Sequence, residues 1–296
     1  MSLKGIFKSA LDESYVIKRL DKYLVSLSDK DGDRAIDVNA PSQAGTCLRN
    51  RFYMRKGYDF DDRIDARLRR IFDNGTFTHE RLQGYLKEEG MLLCDELPIH
   101  NTKYNIQGHT DGLLNFGREK AILEIKSINS RGFNDLKMVK PEHKKQGLVY
   151  LYCVEQRRLE LHREYEDFED FENHLYSRNK FYRSLYNHLK DGNKYKRREK
   201  IAYQAYLHSV LDEILMQTDR PITKVIFLYE NKDTQDLKEF CVSSTEKDAR
   251  NVLETVLREY EALNNHCLKD NIPPREGKSK NDNVCRWCNY KLECWC

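Results

Sequence analysis

The run MLLCDELPIHNTKYNIQGHTDGLLNFGREKAILEIKSI, residues 91–128, decides the fold. It divides into short, largely apolar pieces, Met91 to Ile99, Tyr104 to Leu114 and Ala121 to Ile128. The turn-like stretches His100 to Lys103 and Asn115 to Lys120 separate them. Strands of this length joined by polar turns form an antiparallel meander. Alternate residues of a strand share a face, so Glu124 and Lys126 project together while Ile125 points the opposite way. With Asp111 on the preceding strand, its carboxylate lies beside Glu124, and two carboxylates and an ammonium converge.

Those residue types suit a definite chemistry. A hard cation prefers oxygen ligands, which Asp111 and Glu124 supply, together with the backbone carbonyl of Ile125. Such a cation polarises a phosphate and acidifies a bound water, while Lys126 orients the water and neutralises charge developing in a phosphodiester transition state. The bare spacing D-x12-E-x-K arises by chance in a chain that is 33% charged. Its setting is what argues for a site, because charges are costly to bury unpaired in a strand as apolar as Ala121 to Ile128.

Outward from this centre, the sequence alternates helices and strands. Leu3 to Leu27 reads as one or two helices, and Ser28 to Ala44 has turn composition. A helical region begins at Gly45 to Tyr53. A further helix is expected from about Thr76 to Glu89, with His79, Leu82 and Leu86 on one face. His79 there is either an ordinary core histidine or part of the site. Pro141 introduces a helix carrying His143, Gln146 and Tyr150. A highly charged stretch from Glu155 to Lys200 reads as a helical insertion, first acidic and then basic. A helix from Ile201 to Met216, a hairpin of Thr223 to Tyr229 and Leu237 to Val242, and a capped helix from Ser244 to Leu263 follow. The expectation is an α/β chain, a central mixed sheet with helices on both sides. Residues 1–44 are expected to be an N-terminal helical segment and 45–296 one domain, with the insertion at about 155–200 and a cysteine cluster at 285–296.

Composition adds bounds. The 296 residues are 39% hydrophobic and carry a net charge of +3. That charge is too mild to imply a nucleic-acid partner, so clustering matters more than the sum. Nine Lys or Arg fall between Arg178 and Lys200, interleaved with Phe181, Tyr182, Tyr186 and Tyr195. In that stretch Lys180, Arg183, Lys194, Lys196, Arg197 and Arg198 are candidate nucleic-acid contacts, the alternative being a solvated helix face. No run approaches the ~18 apolar residues of a membrane span, and Met1 to Lys8 has no signal-peptide core. An intracellular, cytoplasmic protein is expected.

The chain has nine cysteines. Cys285, Cys288 and Cys294 form C-x2-C-x5-C, Cys296 follows, and Cys47 stands far upstream. Thiolates so spaced bind one metal from a tight turn, and zinc and an iron–sulfur cluster both fit that local geometry. Cys94, Cys153, Cys241 and Cys267 lack ligand spacing and read as small buried apolar residues.

The order His79, Asp111, Glu124-x-Lys126 and Gln146-x3-Tyr150 resembles the RecB-type nuclease branch of the PD-(D/E)xK superfamily. Cys47 with C-x2-C-x5-C resembles its iron–sulfur subgroup, which includes AddB-type nuclease domains, four-cysteine CRISPR adaptation nucleases and phage exonucleases. Thr110 stands where the family name has proline. The resemblance covers roughly Cys47 to Cys294 without the insertion, and it implies a restriction-endonuclease-like core. It further implies a Mg2+ or Mn2+ dependent deoxyribonuclease acting on single strands or free ends in recombination, repair or phage DNA metabolism. His79 becomes a metal ligand or strand gate, Glu96 a residue of the first strand, and Gln146 and Tyr150 DNA-contacting or site-orienting residues. Gln204 is a rival for the motif glutamine, but Gln146 follows the Lys126 strand at the expected short distance. Cys47, Cys285, Cys288 and Cys294 would clasp a 4Fe–4S cluster, zinc being the alternative, with Cys296 a spare. A different reading is a nucleic-acid-binding or assembly subunit of a CRISPR adaptation or recombination complex, with partner-dependent or vestigial cleavage. A protein partner or a homo-oligomer is compatible with either.

Overall fold

The computed structural model describes residues 15–28, 37–59, 65–165, 168, 170–172, 180–182, 184–185, 196–286 and 288–295. The helices are α1 (Tyr15–Ser28), α2 (Leu48–Arg55), α3 (Ala66–Glu88), α4 (Ser130–Asp135), α5 (Pro141–Glu164), α6 (Lys196–Met216), α7 (Lys247–Leu268), α8 (Asn283–Arg286) and α9 (Lys291–Trp295). The strands are β1 (Leu92–Asn101), β2 (Ile106–Phe116), β3 (Glu119–Ile128), β4 (Lys224–Asn231) and β5 (Leu237–Ser243), in spatial order β1-β2-β3-β4-β5. β1, β2 and β3 are the antiparallel meander, and β4 and β5 the expected hairpin. The two units join through a parallel β3–β4 pair, in register from Ala121 opposite Lys224 to Ile128 opposite Asn231. A parallel pair requires a long crossover, and α4, α5 and α6 lie within it. The fold is α/β, with a mixed sheet flanked by helices.

Period-two burial assigns the two faces of the sheet. Leu113, Ile122, Val225, Phe227 and Tyr229 face α5 and share its core with Leu148, Val149 and Leu151. Leu114, Ala121, Leu123, Ile125 and Ile226 face the other way and pack on Leu82 of α3. Helix α5 lies close to the strands because residue 147 is glycine. A Cβ there would stand 2.5 Å from Phe227 Cζ and 3.0 Å from Val225 Cγ1. A smaller core of Phe52, Tyr53, Leu263 and Tyr290 holds α2 and α7 against the C-terminal turns. Among the described residues no helix is long and apolar enough to cross a membrane.

Several boundaries differ from the sequence reading. Helix α3 starts ten residues before the expected Thr76, because the Asp65 side chain accepts the Leu68 N–H at 2.6 Å and caps it there. Helix α7 has no side-chain cap: Glu246 at its start makes none, and Ser244 Oγ is turned to the Thr223 carbonyl. Residues 155–164 were grouped with the insertion, yet α5 runs through them unbroken and buries Arg158 and Leu161. Residues 37–44 were grouped with the N-terminal helices. They are instead bonded to the β1–β2 hairpin, with Asn39 bridging Ile106 and Ala44 in the main core. Residues 3–14 of the expected first helix lie outside the described residues.

Candidate active site

The β2–β3 ladder runs from Phe116 opposite Glu119 to Gly112 opposite Leu123 and stops there. One step further, Asp111 would face Glu124. In place of a main-chain pair, Asp111 Oδ2 accepts the Ile125 N–H at 2.6 Å. A carboxylate thus substitutes for a backbone acceptor where the strands part, which fixes Asp111 beside the Glu124–Lys126 segment.

Glu124 is 1% exposed. Its Oε1 lies 2.6 Å from Lys126 Nζ, while its Oε2 is buried with no hydrogen-bond partner among the described residues. An unpaired buried carboxylate oxygen is costly. Burial, then the negative charge of Asp111, push the Glu124 carboxyl up to about 8 despite Lys126. Lys126 Nζ also donates to Gln146 Oε1 at 3.1 Å, and Gln146 Nε2 donates to Tyr150 Oη at 2.8 Å. Residues 146 and 150 are one helical turn apart on α5, so Gln146 stands between Lys126 and the Tyr150 hydroxyl.

The opposite wall is α3. His79 Nδ1 is 3.2 Å from Asp111 Oδ1. Burial works against the His79 imidazolium, but the hydrogen bond and charge of Asp111, with Glu124 behind, outweigh it and raise its proton affinity. One turn on, Gln83 is buried and its Nε2 donates to the Asp111 main-chain carbonyl at 2.8 Å and to Glu96 Oε1 at 3.3 Å. Helix α3 therefore grips Asp111 at both its carboxylate and its backbone. Glu96 lies in β1, and its φ of 48° takes it out of the ladder between the pairs Asp95–Gly112 and Leu97–Thr110.

Gln83 was absent from the sequence reading, although its i+4 relation to His79 on one helical face was a usable signal. The pair His143 and Tyr229 was missed as well. His143 Nδ1 lies 2.7 Å from Tyr229 Oη, and Tyr229 is the β4 residue opposite Lys126. Burial and the Lys126 charge push His143 down to about 4, so it is neutral at ordinary pH. Lys126 is bonded to Gln146, whereas the Gln204 Nε2 stands 3.4 Å from His109 Nε2.

Among the described residues no three His, Cys, Asp or Glu side chains stand together as a group that could hold a metal ion. The oxygen donors available there are the unpartnered Glu124 Oε2 and the Asp111 carboxylate, the donor type that Mg2+ and Mn2+ take, while the His79 imidazole is engaged by Asp111. The Ile125 side chain is fully buried on the α3 face, leaving only its main chain available to the centre.

Cys47, Cys285, Cys288 and Cys294 line one cavity between α2 and the C-terminal turns. Asn50 Nδ2 donates to Cys288 Sγ at 3.2 Å and Arg49 Nη1 to Cys294 Sγ at 3.6 Å. Burial pushes the Cys47 thiol up, against the backbone hydrogen bonds of Asn50 and Arg49. Cys94 and Cys153 are buried as expected, whereas Cys241 is exposed on β5, the sheet's edge strand, and Cys267 is half-buried. Cys296 lies outside the described residues. Of the basic candidates, Lys180 is exposed and Lys196, Arg197 and Arg198 open α6; the side chains of those last three, and Arg183 and Lys194 entirely, lie outside the described residues.

No protein-family profile matches the sequence, and no curated protein matches it. Among solved structures, the crystal structure of SSO0001 superposes with a TM-score of 0.46 at 13% identity, over 94% of this chain and 96% of that one. A likeness at that level carries no argument about chemistry.

Proposed function

We propose that the protein is a metal-dependent deoxyribonuclease of the PD-(D/E)xK type, most suited to single strands or free ends. One observation carries the reading: a carboxylate buried to 1% exposure, with one oxygen bonded to Lys126 and the other unpartnered, beside Asp111. A protein keeps such a costly arrangement where it serves chemistry.

His79, Asp111, Glu124 and the main chain of Ile125 would hold the cation. When bound, Mg2+ or Mn2+ supplies Lewis acidity toward the phosphate and lowers the pKa of a water. The protein's own part is orientation and charge. Lys126 is held between Glu124 and Gln146, so its ammonium meets the attacking water and the developing negative charge without reorganising. Gln146 fixes that ammonium, and Tyr150, whose hydroxyl burial keeps protonated, fixes Gln146. His79 orients the Asp111 carboxylate from the α3 side. Neutral His143 adds no competing charge near Lys126.

The same proposal assigns a 4Fe–4S cluster to Cys47, Cys285, Cys288 and Cys294, with Zn2+ as the alternative occupant, and a cytoplasmic setting. The cavity those cysteines share supports the assignment. The basic run from Arg178 to Lys200 favours a second reading, a binding or assembly subunit that engages nucleic acid without cutting it, alone or with a partner. Digestion of end-labelled single-stranded, duplex and circular DNA with Mg2+ or Mn2+ separates the two. Cleavage of linear but not circular DNA supports the end-dependent nuclease. Cleavage of circles removes the end requirement, and tight binding with every substrate left intact supports the second reading.

A further inference from the structure

His143 shares one face of α5 with Gln146 and Tyr150, because residues 143, 146, 147 and 150 recur at helical spacing. That face meets the sheet at Lys126, through the Gln146 bond to its ammonium. Tyr229, the β4 residue opposite Lys126, is fully buried and lies against the His143 ring, with centroids 5.6 Å apart. Lys126 is therefore flanked by Gln146 and, one helical turn earlier on α5, by the His143–Tyr229 pair.

The hydrogen bonds of that pair settle which imidazole nitrogen carries the proton. The Tyr229 hydroxyl accepts the Lys140 N–H at 3.3 Å and lies 2.7 Å from His143 Nδ1. Its own proton goes to Nδ1, the other partner it has among the described residues. Burial, then the Lys126 charge, keep the ring unprotonated at ordinary pH, and the charges of Glu142 and Lys140 in the same turn act on it in opposite senses. With Nδ1 accepting, the ring hydrogen sits on Nε2. The ring is half-buried, and among the described residues none is bonded to Nε2. Lys140 makes no side-chain cap, so the first N–H groups of α5 leave partial positive charge in the same turn. A fixed N–H, an ammonium and the positive end of a helix gathered at one place suit an anion. An uncharged imidazole polarises a phosphoryl oxygen without repelling Lys126.

We infer that His143 Nε2–H donates to a non-bridging oxygen of the substrate phosphate beside Lys126, and that Tyr229 is the positioning residue that fixes this tautomer. The inference rests on the nuclease reading for the phosphodiester as substrate, but tautomer and contact are both measurable without cleavage. The first test records long-range proton–nitrogen correlation spectra of protein isotopically labelled at histidine, assigned with His143→Gln. Wild type should show the hydrogen on Nε2, and Tyr229→Phe a mixture of both tautomers. Oligothymidylate added after chelation should shift the His143 Nε2 resonance, whereas its uncharged methylphosphonate analogue should not. The second test is steady-state cleavage of end-labelled single-stranded DNA with Mn2+. His143→Ala should lower kcat about 100-fold with KM nearly unchanged, the pattern of a donor used in the transition state. His143→Gln, which keeps an N–H near the place of Nε2, should recover most of that loss, as a purely structural role would not require.

A hydrogen on Nδ1 in wild type, no shift with oligothymidylate, or an equal shift with the methylphosphonate overturns the inference. So does a His143→Ala variant that cleaves as wild type does, in which case the nuclease reading is untouched. If wild type cleaves nothing under Mg2+ or Mn2+ while Nε2 responds to the charged oligonucleotide alone, the nuclease reading fails and the phosphate contact stands.

Discussion

Replacing Glu124 by glutamine should raise the stability of the metal-free protein at alkaline pH while removing activity. The carboxyl's proton affinity in the fold, about 8, stands above its ordinary 4.5, so the folded chain holds a proton that the unfolded chain releases. The stabilisation from this group is therefore complete below about pH 4.5 and is lost as pH rises through about 8. At ~1.4 kcal/mol per tenfold change in affinity, the span corresponds to on the order of 3–5 kcal/mol. The Glu124→Gln side chain has no such titration. It forfeits the ion pair with Lys126, which keeps Gln146 Oε1 as acceptor. The net gain at pH 8.5 is then about 1–3 kcal/mol, or ~2–6 °C in Tm for a chain of this size. His79 also binds its proton more tightly in the fold, chiefly through Asp111 and to a lesser degree through Glu124, so its slope has the same sign in wild type and is reduced in the variant. The assay is thermal unfolding after chelation, from pH 5 to 8.5. Parallel slopes in the two proteins, or a variant less stable than wild type at pH 8.5, would refute the reasoning.

Gln83→Leu should weaken Mn2+ binding roughly 10–100-fold by titration calorimetry, because the Asp111 backbone loses the donor that fixes it; unchanged affinity would show that α3 does not position Asp111. Gly147→Ala should cost about 1–3 kcal/mol through the clash with Phe227 and Val225, lowering Tm by several degrees, and a wild-type Tm would contradict the tight α5–sheet contact. Cys288→Ser should abolish the visible absorbance of an iron–sulfur centre in protein purified without oxygen; a colourless wild type containing zinc would transfer the site to the alternative metal.

The parts of this molecule governed by short-range periodicity were legible in its sequence. Alternation along Ala121 to Ile128 sets Glu124 and Lys126 on one face, and the helical turn between Gln146 and Tyr150 brings those two together. What escaped depends on distant pairing. The opposition of Lys126 and Tyr229 exists only because β3 and β4 pair in parallel across a crossover of about a hundred residues, so the His143–Tyr229 neighbour of the ammonium carried no local signal. Charge content misled at the insertion boundary. Arg157 and Arg158 fall in the charged stretch that reads as an insertion, yet Asp212 binds the first in two hydrogen bonds of 2.9 and 2.8 Å, and Glu155 binds the second, which is buried. Cys241 was read as buried from residue type alone, and only its position on an edge strand decides otherwise.

Lys126 is the residue on which the account turns, since it joins the buried carboxylate to the α5 wall. Initial rates on end-labelled single-stranded DNA with Mn2+ should be compared for wild type and Lys126→Ala prepared in parallel, with circular dichroism confirming that both are folded. Removal of one fixed electrostatic group of this kind costs ~100–1,000-fold in rate, and a loss of that size is the expected result. Wild-type protein that leaves the DNA intact, or a variant that cleaves as fast as wild type, would contradict the assignment of this centre as a nuclease.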